Sequence, residues 1–259
     1  NRYCMVGPYD DPTKRKKLPA RPGVDDYQFP TSYSQLSDYI RCAYDYKMRY
    51  IYSFNPALVQ AIGYGRQVHN VLNMLHKKAQ DEGKVPSPSD AERLVDEHFF
   101  LRYAADSQAE TLKKSALRSV LRYLDLWKDD FSLSLKTEHS FEMDVENALI
   151  AGSIDLLKRK DGSGSILEIV DFKTGNERRL EEELMLQVRL YTVAAREALD
   201  LDVQKAYVHF LDEKRDGRVE IPTDPAELEE AMRTIGRAIK GVTGRDFDRN
   251  PSDRKACRE

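Results

Sequence analysis

Cysteine is scarce in this sequence. Cys4, Cys42 and Cys257 are its three thiols, an odd number spread over 259 residues. No two stand in a CxxC pair, so neither a disulfide framework nor zinc-finger chemistry is indicated, and the pattern suits a reducing cytoplasm. No apolar run approaches the roughly 18–20 residues of a membrane span, so no membrane partner is expected. The amino-terminal segment lacks the basic, apolar, small-residue order of a secretion signal. There is no initiating Met, and the last residues are Ala256-Cys257-Arg258-Glu259, which reads as a piece of something longer. An excess of positive charge is also missing. The formal net charge is −3, so the total does not advertise nucleic-acid binding, which needs only a local positive stripe. Lys14-Arg15-Lys16-Lys17, Lys113 to Arg122 and Arg245 to Arg258 are candidate patches, each more ordinarily a solvated face.

Of the residues, 41% are hydrophobic, enough for a packed core without disulfides or a structural metal. Residues 1–31, with Gly7-Pro8, Pro12, Pro19, Pro22-Gly23 and Pro30, read as a linker or extended arm. From Thr31-Ser32, whose hydroxyls can cap a helix, the pattern turns helical, with Leu36, Tyr39, Ile40, Tyr44 and Met48 at helical spacing. A second helix is expected from Gly65 to about Ala79, with Val68, Leu72 and Leu75 on one face. Pro86-Ser87-Pro88-Ser89-Asp90 is a turn and cap, and further helices cover Ala91–Tyr103 and Ala109–Lys128. After this helical part (32–130) comes a core of alternating elements (134–240) and a tail (241–259). Strands are expected at Thr137–Val145 and Leu149–Lys158 around a turn at Asn147. Asp161-Gly162-Ser163-Gly164 is a hairpin signal, and a strand follows at Ile166–Lys173. A helix at Glu181–Leu199, a strand at Lys205–Leu211 and a helix at Pro225–Ile239 complete the reading. The strand at Ile166–Lys173 is apolar on both faces, as a central strand should be.

The informative segment is Gly152-Ser153-Ile154-Asp155 followed by Asp171-Phe172-Lys173-Thr174-Gly175. Asp171 and Lys173 share a strand face. Burying a carboxylate and an ammonium at a strand end costs several kcal/mol unless something compensates. A divalent cation held by Asp155 and Asp171 would do so, and hard oxygen ligands suit Mg²⁺ or Mn²⁺. An ordinary salt bridge explains an isolated Asp-x-Lys. Here the pair follows a hairpin carrying a second Asp and precedes a helix with Gln187 and Tyr191, a more specific order.

Those residues resemble the PD-(D/E)xK nuclease superfamily, and within it the RecB-type nuclease domains found at the carboxyl ends of UvrD-like repair helicases and in related CRISPR-associated exonucleases. The resemblance covers roughly Pro30 to Glu259. It implies an α/β, restriction-endonuclease-like fold, a central mixed sheet flanked by helices with an N-terminal helical region. It also implies metal-dependent DNA hydrolysis. The matching positions are His69 in Gly65-Arg66-Gln67-Val68-His69, Asp155, Asp171, Lys173, and Gln187 and Tyr191 one helical turn apart. By the same resemblance His69, Asp155, Asp171 and the backbone carbonyl of Phe172 would hold the metal, with Lys173 acting on the water. Spacing alone would leave His69 a core or surface His. Gln187 either orients Lys173 or touches a phosphate, and Tyr191 braces the site or the DNA, against the alternative of a surface amide over a core Tyr. Glu138 is more ordinarily a solvated strand residue than a DNA-facing contact. Glu168, an odd number of positions before Asp171, lies on the opposite face and outside the site.

Many members of that branch hold an iron–sulfur cluster. Cys42 and Cys257 stand where its first two ligands would be, with the other two missing, so a 4Fe-4S cluster is an expectation for a longer parent protein and two unrelated thiols is the alternative. The expected partners are DNA, single-stranded or at ends, and a helicase region or subunit of a repair complex. The aromatic and basic tract from Tyr33 to Tyr52 suits base stacking and phosphate contact, with core packing the duller explanation. The competing functions are a catalytically silent DNA-binding scaffold, a stand-alone CRISPR-associated exonuclease, and a hydrolase of another phosphate ester.

Overall fold

Seven consecutive residues, Leu167–Lys173, form a strand in which all but the last are buried. A strand apolar on both sides must be covered on both sides, and the computed structural model shows how. It describes residues 28–54, 61–160, 166–174, 182–213 and 217–248. The strands are β1 (Phe29–Ser32), β2 (Ser134–Val145), β3 (Ala148–Arg159), β4 (Leu167–Lys173), β5 (Val203–Phe210) and β6 (Arg218–Ile221). They form one mixed sheet in the order β1-β3-β4-β5-β6, with β2 also on β3. The helices are α1 (Tyr33–Arg41), α2 (Ala43–Tyr46), α3 (Tyr64–Glu82), α4 (Pro88–His98), α5 (Asp106–Leu126), α6 (Lys128–Leu133), α7 (Glu182–Glu197) and α8 (Pro225–Thr243). One core joins α1, α7 and α8 to one sheet face through residues such as Leu36, Ile154, Ile169, Val188 and Ile235. The other joins α3, α4 and α5 to the opposite face through Leu72, Leu75, Val95, Val120, Leu156 and Val170. The expected mixed sheet between helices is therefore present.

Several boundaries differ from the sequence reading for identifiable reasons. Thr31 and Ser32 are strand, pairing with Ile150 and Ala151, because tertiary pairing takes up residues whose local chemistry suits a cap. Ser32 still caps, its hydroxyl accepting from Gln35 N. The helix expected through Met48 breaks at Cys42, whose backbone is extended, and resumes as α2 and a π-helical turn at Lys47–Ile51. The helix placed at Ala91–Tyr103 starts earlier, capped by Ser87 with Pro88 in its first turn, and stops at His98. β1, α6 and β6 were not expected; the longest of them has six residues, too short to show a period. The arm at 1–27, the patch Lys14–Lys17 and the hairpin signal at 161–164 lie outside the described residues.

One topological detail positions everything that follows. A strand has two edges, and β2 occupies one edge of β3 from Ala148 to Lys158. β1 and β4 must therefore share the other. β1 runs parallel to β3 as far as Ser32–Ala151, and β4 runs antiparallel from Leu167–Arg159 to Val170–Leu156. The two strands approach each other by their carboxyl ends and leave the β3 edge open between Ala151 and Leu156.

At the other end of β3 and β4 lies a buried charge cluster. Asp130 accepts from Lys158 at 2.9 Å, from Tyr123 at 2.9 Å and from both terminal nitrogens of Arg218. Lys158 also pairs with Glu168 at 3.2 Å, which confirms that Glu168 faces away from Asp171. Arg218 lies 3.7 Å over the Trp127 ring. Burial pushes the Asp130 carboxyl up, and the hydrogen bonds and charges of Arg218 and Lys158 more than reverse that, holding it well below the usual carboxylate range. Removing one member of such a cluster strands the others. Asp130→Ala is expected to cost about 3–5 kcal/mol in urea unfolding; a cost under about 1 kcal/mol would show that the two cations find other partners.

Candidate active site

The open edge of β3 coincides with a local irregularity. Glu138 on β2 has φ +47°, a left-handed conformation that costs about 1–3 kcal/mol in a residue with a side chain. Extending the register would set Glu138 opposite Asp155, yet neither takes part in the ladder. Side-chain alternation slips at the same point. Ile154 packs in the α7 core and Leu156, two residues on, in the α3–α5 core, where regular alternation would put both on one face. A bulge of this kind re-aims side chains. Here it frees Asp155 to turn into the open edge, where its Oδ2 accepts from Phe172 N at 2.7 Å. In an extended strand the N–H and C=O of one residue point to the same edge, so the Phe172 carbonyl faces the gap too.

Groups from both layers of helices meet in that gap. From α3, His69 Nδ1 reaches to 3.3 Å from Asp155 Oδ1, its ring edge-on to Phe172 at 6.1 Å. From β4, Asp171 is 1% exposed. Lys173 Nζ lies 2.7 Å from Asp171 Oδ2 and forms an ion pair with it. From α7, Gln187 Oε1 accepts from Lys173 Nζ at 2.9 Å, and Gln187 Nε2 donates to Tyr191 Oη at 2.8 Å. Tyr191 in turn packs edge-on against Phe141 at 5.4 Å. That ring lies across Gly152, where a Cβ would come within 2.5 Å of it. The glycine of the Gly-x-Ile-Asp segment thus lets Phe141 fold over and support the tyrosine.

Glu138 corrects the sequence reading. It is half-buried, its Oε2 accepts from Ser153 Oγ at 3.0 Å, and His69, Glu138 and Asp155 can each offer a ligand atom within 4.8 Å of the others. Sequence alternation missed this because the left-handed residue turns the side chain out of its expected place. The set His69, Glu138, Asp155, with Asp171 and the Phe172 carbonyl beside it, is one imidazole and oxygens, a donor set suited to Mn²⁺ or Mg²⁺. The buried Asp171 carboxylate beside this set adds negative charge that such an ion would help to balance.

The electrostatics describe a concentration of partly buried negative charge. Burial pushes Asp171 from 3.8 up to about 6, against the pull of Lys173 and with the charge of Asp155 adding to the rise. Burial and Asp155 likewise push Glu138 up. For His69 burial acts downward, but its hydrogen bond to Asp155 and the charges of Asp155 and Asp171 raise it above the ordinary imidazole value. Tyr191 is held neutral, chiefly by burial and then by the charge of Asp171.

The remaining sequence-predicted residues lie elsewhere. Cys42 is buried at the α1–α2 junction, and Cys257 lies outside the described residues. With three cysteines in the chain, the four thiolates of an ordinary cluster are not available; this chain by itself does not fit one. In the aromatic tract Tyr33 and Tyr46 are core, Tyr44, Tyr50 and Tyr52 are exposed, and Arg41 and Arg49 pair with Asp38 and Asp45. No described helix is long and apolar enough to cross a membrane.

A family model described as the PD-(D/E)XK nuclease superfamily matches residues 30–259. No curated protein matches. Among solved structures, the chain is similar to a "Putative exonuclease" from Eubacterium rectale, at 11% identity over 92% of this chain and 93% of that one, with a TM-score of 0.55, a likeness of fold. The structure of SSO0001 is matched at 16% identity over 73% of this chain and 92% of that one, with a TM-score of 0.36.

The raised Asp171 makes a stability prediction. Its folded pKa lies above the unfolded one, so it favours the folded state below about pH 3.8, and that contribution is lost as pH rises through about 6. Asp171→Asn mimics the protonated form at every pH. Without metal, the variant should melt close to the wild type at pH 4 and higher at pH 7, by about 2–4 °C for each kcal/mol recovered. Equal melting temperatures at pH 7 would mean that Lys173 fully compensates the buried charge.

Proposed function

Because the chain belongs to the PD-(D/E)XK nuclease superfamily, we propose that the pocket at the open edge of β3 is a divalent-metal-dependent phosphodiesterase site acting on DNA. The observation that carries this reading is the convergence of His69, Glu138 and Asp155, with Asp171 close enough to feel the charges of Asp155 and His69 and the Lys173 ammonium against it. A cation held by His69, Asp155, Asp171 and the Phe172 carbonyl, with Glu138 as a further ligand, would neutralise charge on the phosphodiester and favour deprotonation of an attacking water.

The chain's own residues have separable tasks. Lys173 lies next to the carboxylates, where its ammonium can orient the water that attacks phosphorus or stabilise the charge that develops on the phosphoryl oxygens. Gln187 fixes that ammonium through its carbonyl, and its other end is fixed by Tyr191. Both are positioning residues. This arrangement favours the bracing role over direct phosphate contact, since both ends of the amide already have partners. Water adds to phosphorus, the P–O bond to the departing nucleoside breaks, and that oxygen leaves with a proton. Exonucleolytic or single-strand action beside a repair helicase, in the manner of RecB-type domains, rests on the sequence resemblance. An iron–sulfur cluster is proposed only for a parent protein that supplies further cysteines.

End-labelled single- and double-stranded DNA incubated with Mn²⁺, with Mg²⁺ and with EDTA tests the reading. Cleavage is expected with metal and not with EDTA. Asp171→Ala and Lys173→Ala should each lose about 10³-fold or more, and Gln187→Ala about 10–100-fold, as supporting residues do. No cleavage by the wild type in either metal, or full activity in the Asp171 or Lys173 variant, would overturn the assignment.

A further inference from the structure

Helix α3 supplies His69, yet its outer face has no role in the pocket. From Tyr64 to Gln80 it contains no Asp or Glu; its first acids are Asp81 and Glu82 at the carboxyl end. This is unlike α4 and α8, whose exposed Arg93, Arg233 and Arg237 pair with acids three to seven residues away along the same helix. At about 100° per residue, Arg66, Asn70, Asn73 and Lys77 fall within an arc of about 60°. That arc lies opposite the buried side formed by Val68, Leu72, Leu75 and Ala79. Arg66 and Lys77 are exposed, and neither forms an ion pair among the described residues. Arg66 stands one turn before His69. Lys77 stands two turns after it, close enough that its positive charge acts on Glu138. Asn73 Oδ1 accepts from Thr137 Oγ1 at 2.6 Å, which ties the row to β2 beside the pocket.

We propose that this face of α3 is a phosphate rail, on which Arg66 and Lys77 hold the backbone of a DNA strand on either side of the carboxylate pocket. The two charges are about 16 Å apart along the helix axis, the span of about five nucleotides in a stacked strand. The asparagines between them offer neutral donors and no repulsion to the phosphates. Charge complementarity selects the occupant: a polyanion meets two cations that form no ion pair among the described residues, on a helix face that lacks acids, with the carboxylate pocket between them. The inference rests on the nuclease reading only for the strand's passage over the pocket; the phosphate contacts do not depend on cleavage.

The test separates the two. Anisotropy of a labelled oligonucleotide, single-stranded and duplex, is measured in EDTA from 50 to 300 mM salt, with cleavage followed separately in Mn²⁺. Arg66→Ala and Lys77→Ala should each weaken binding about five- to tenfold at low salt and flatten the slope of log K against log salt by about 0.7 for the single strand or 0.9 for the duplex. Their melting temperatures should be unchanged, and the control Arg93→Ala should bind as the wild type does. If both rail variants keep the wild-type slope with both oligonucleotides, or if Arg93→Ala flattens it equally, the rail is wrong even though cleavage persists. A wild type that binds with the predicted slope changes but never cleaves would uphold the rail and overturn the nuclease reading.

Discussion

The site depends on a missing strand partner. Over most of its length β3 is paired on both edges, but β1 stops at Ala151 and β4 stops at Leu156. In a continuous sheet the backbone ladder would lie between α3 and α7. The gap removes that barrier. Asp155 turns into it, substitutes its carboxylate for the backbone acceptor that Phe172 would otherwise have, and meets His69 from α3.

Concentrating acids there is unfavourable without a cation, and the fold bears the cost in recognisable ways. Glu138 sits in a strained conformation, Asp171 is almost wholly buried, and the carboxyls of both are pushed toward protonation. The Lys173–Gln187–Tyr191 chain offsets part of the charge and does so with little freedom, because each member is held by the next and Phe141 backs the last. The proposed metal-dependent phosphodiesterase role would use this excess of negative charge to hold an ion.

The opposite ends of β3 and β4 carry the contrasting solution. Lys158, Glu168, Asp130 and Arg218 neutralise one another within the protein, and Trp127 covers the guanidinium. The same two strands thus hold one charge cluster whose charges balance and one in which three carboxylates meet a single lysine and a histidine.

The central strand, its two-sided burial and the shared face of Asp171 and Lys173 were legible in the sequence, because strand alternation and apolar patterning are local rules. The helices of α3, α5 and α7 were legible for the same reason. The opposite orientation of Glu168 followed from parity alone. Glu138 was not legible, since its left-handed backbone breaks the alternation from which its direction was read. β1, α6 and β6 are too short to carry a period, and Thr31 and Ser32 look like caps until β3 pairs with them. Convergence of His69 with Asp155 across the sheet was implied by resemblance and not by spacing, because α3 and β3 are far apart in the chain. Local chemistry determined which residues could do the work; only the meeting of β1 and β4 end to end on one edge of β3, a long-range outcome of packing, decided that they share a pocket.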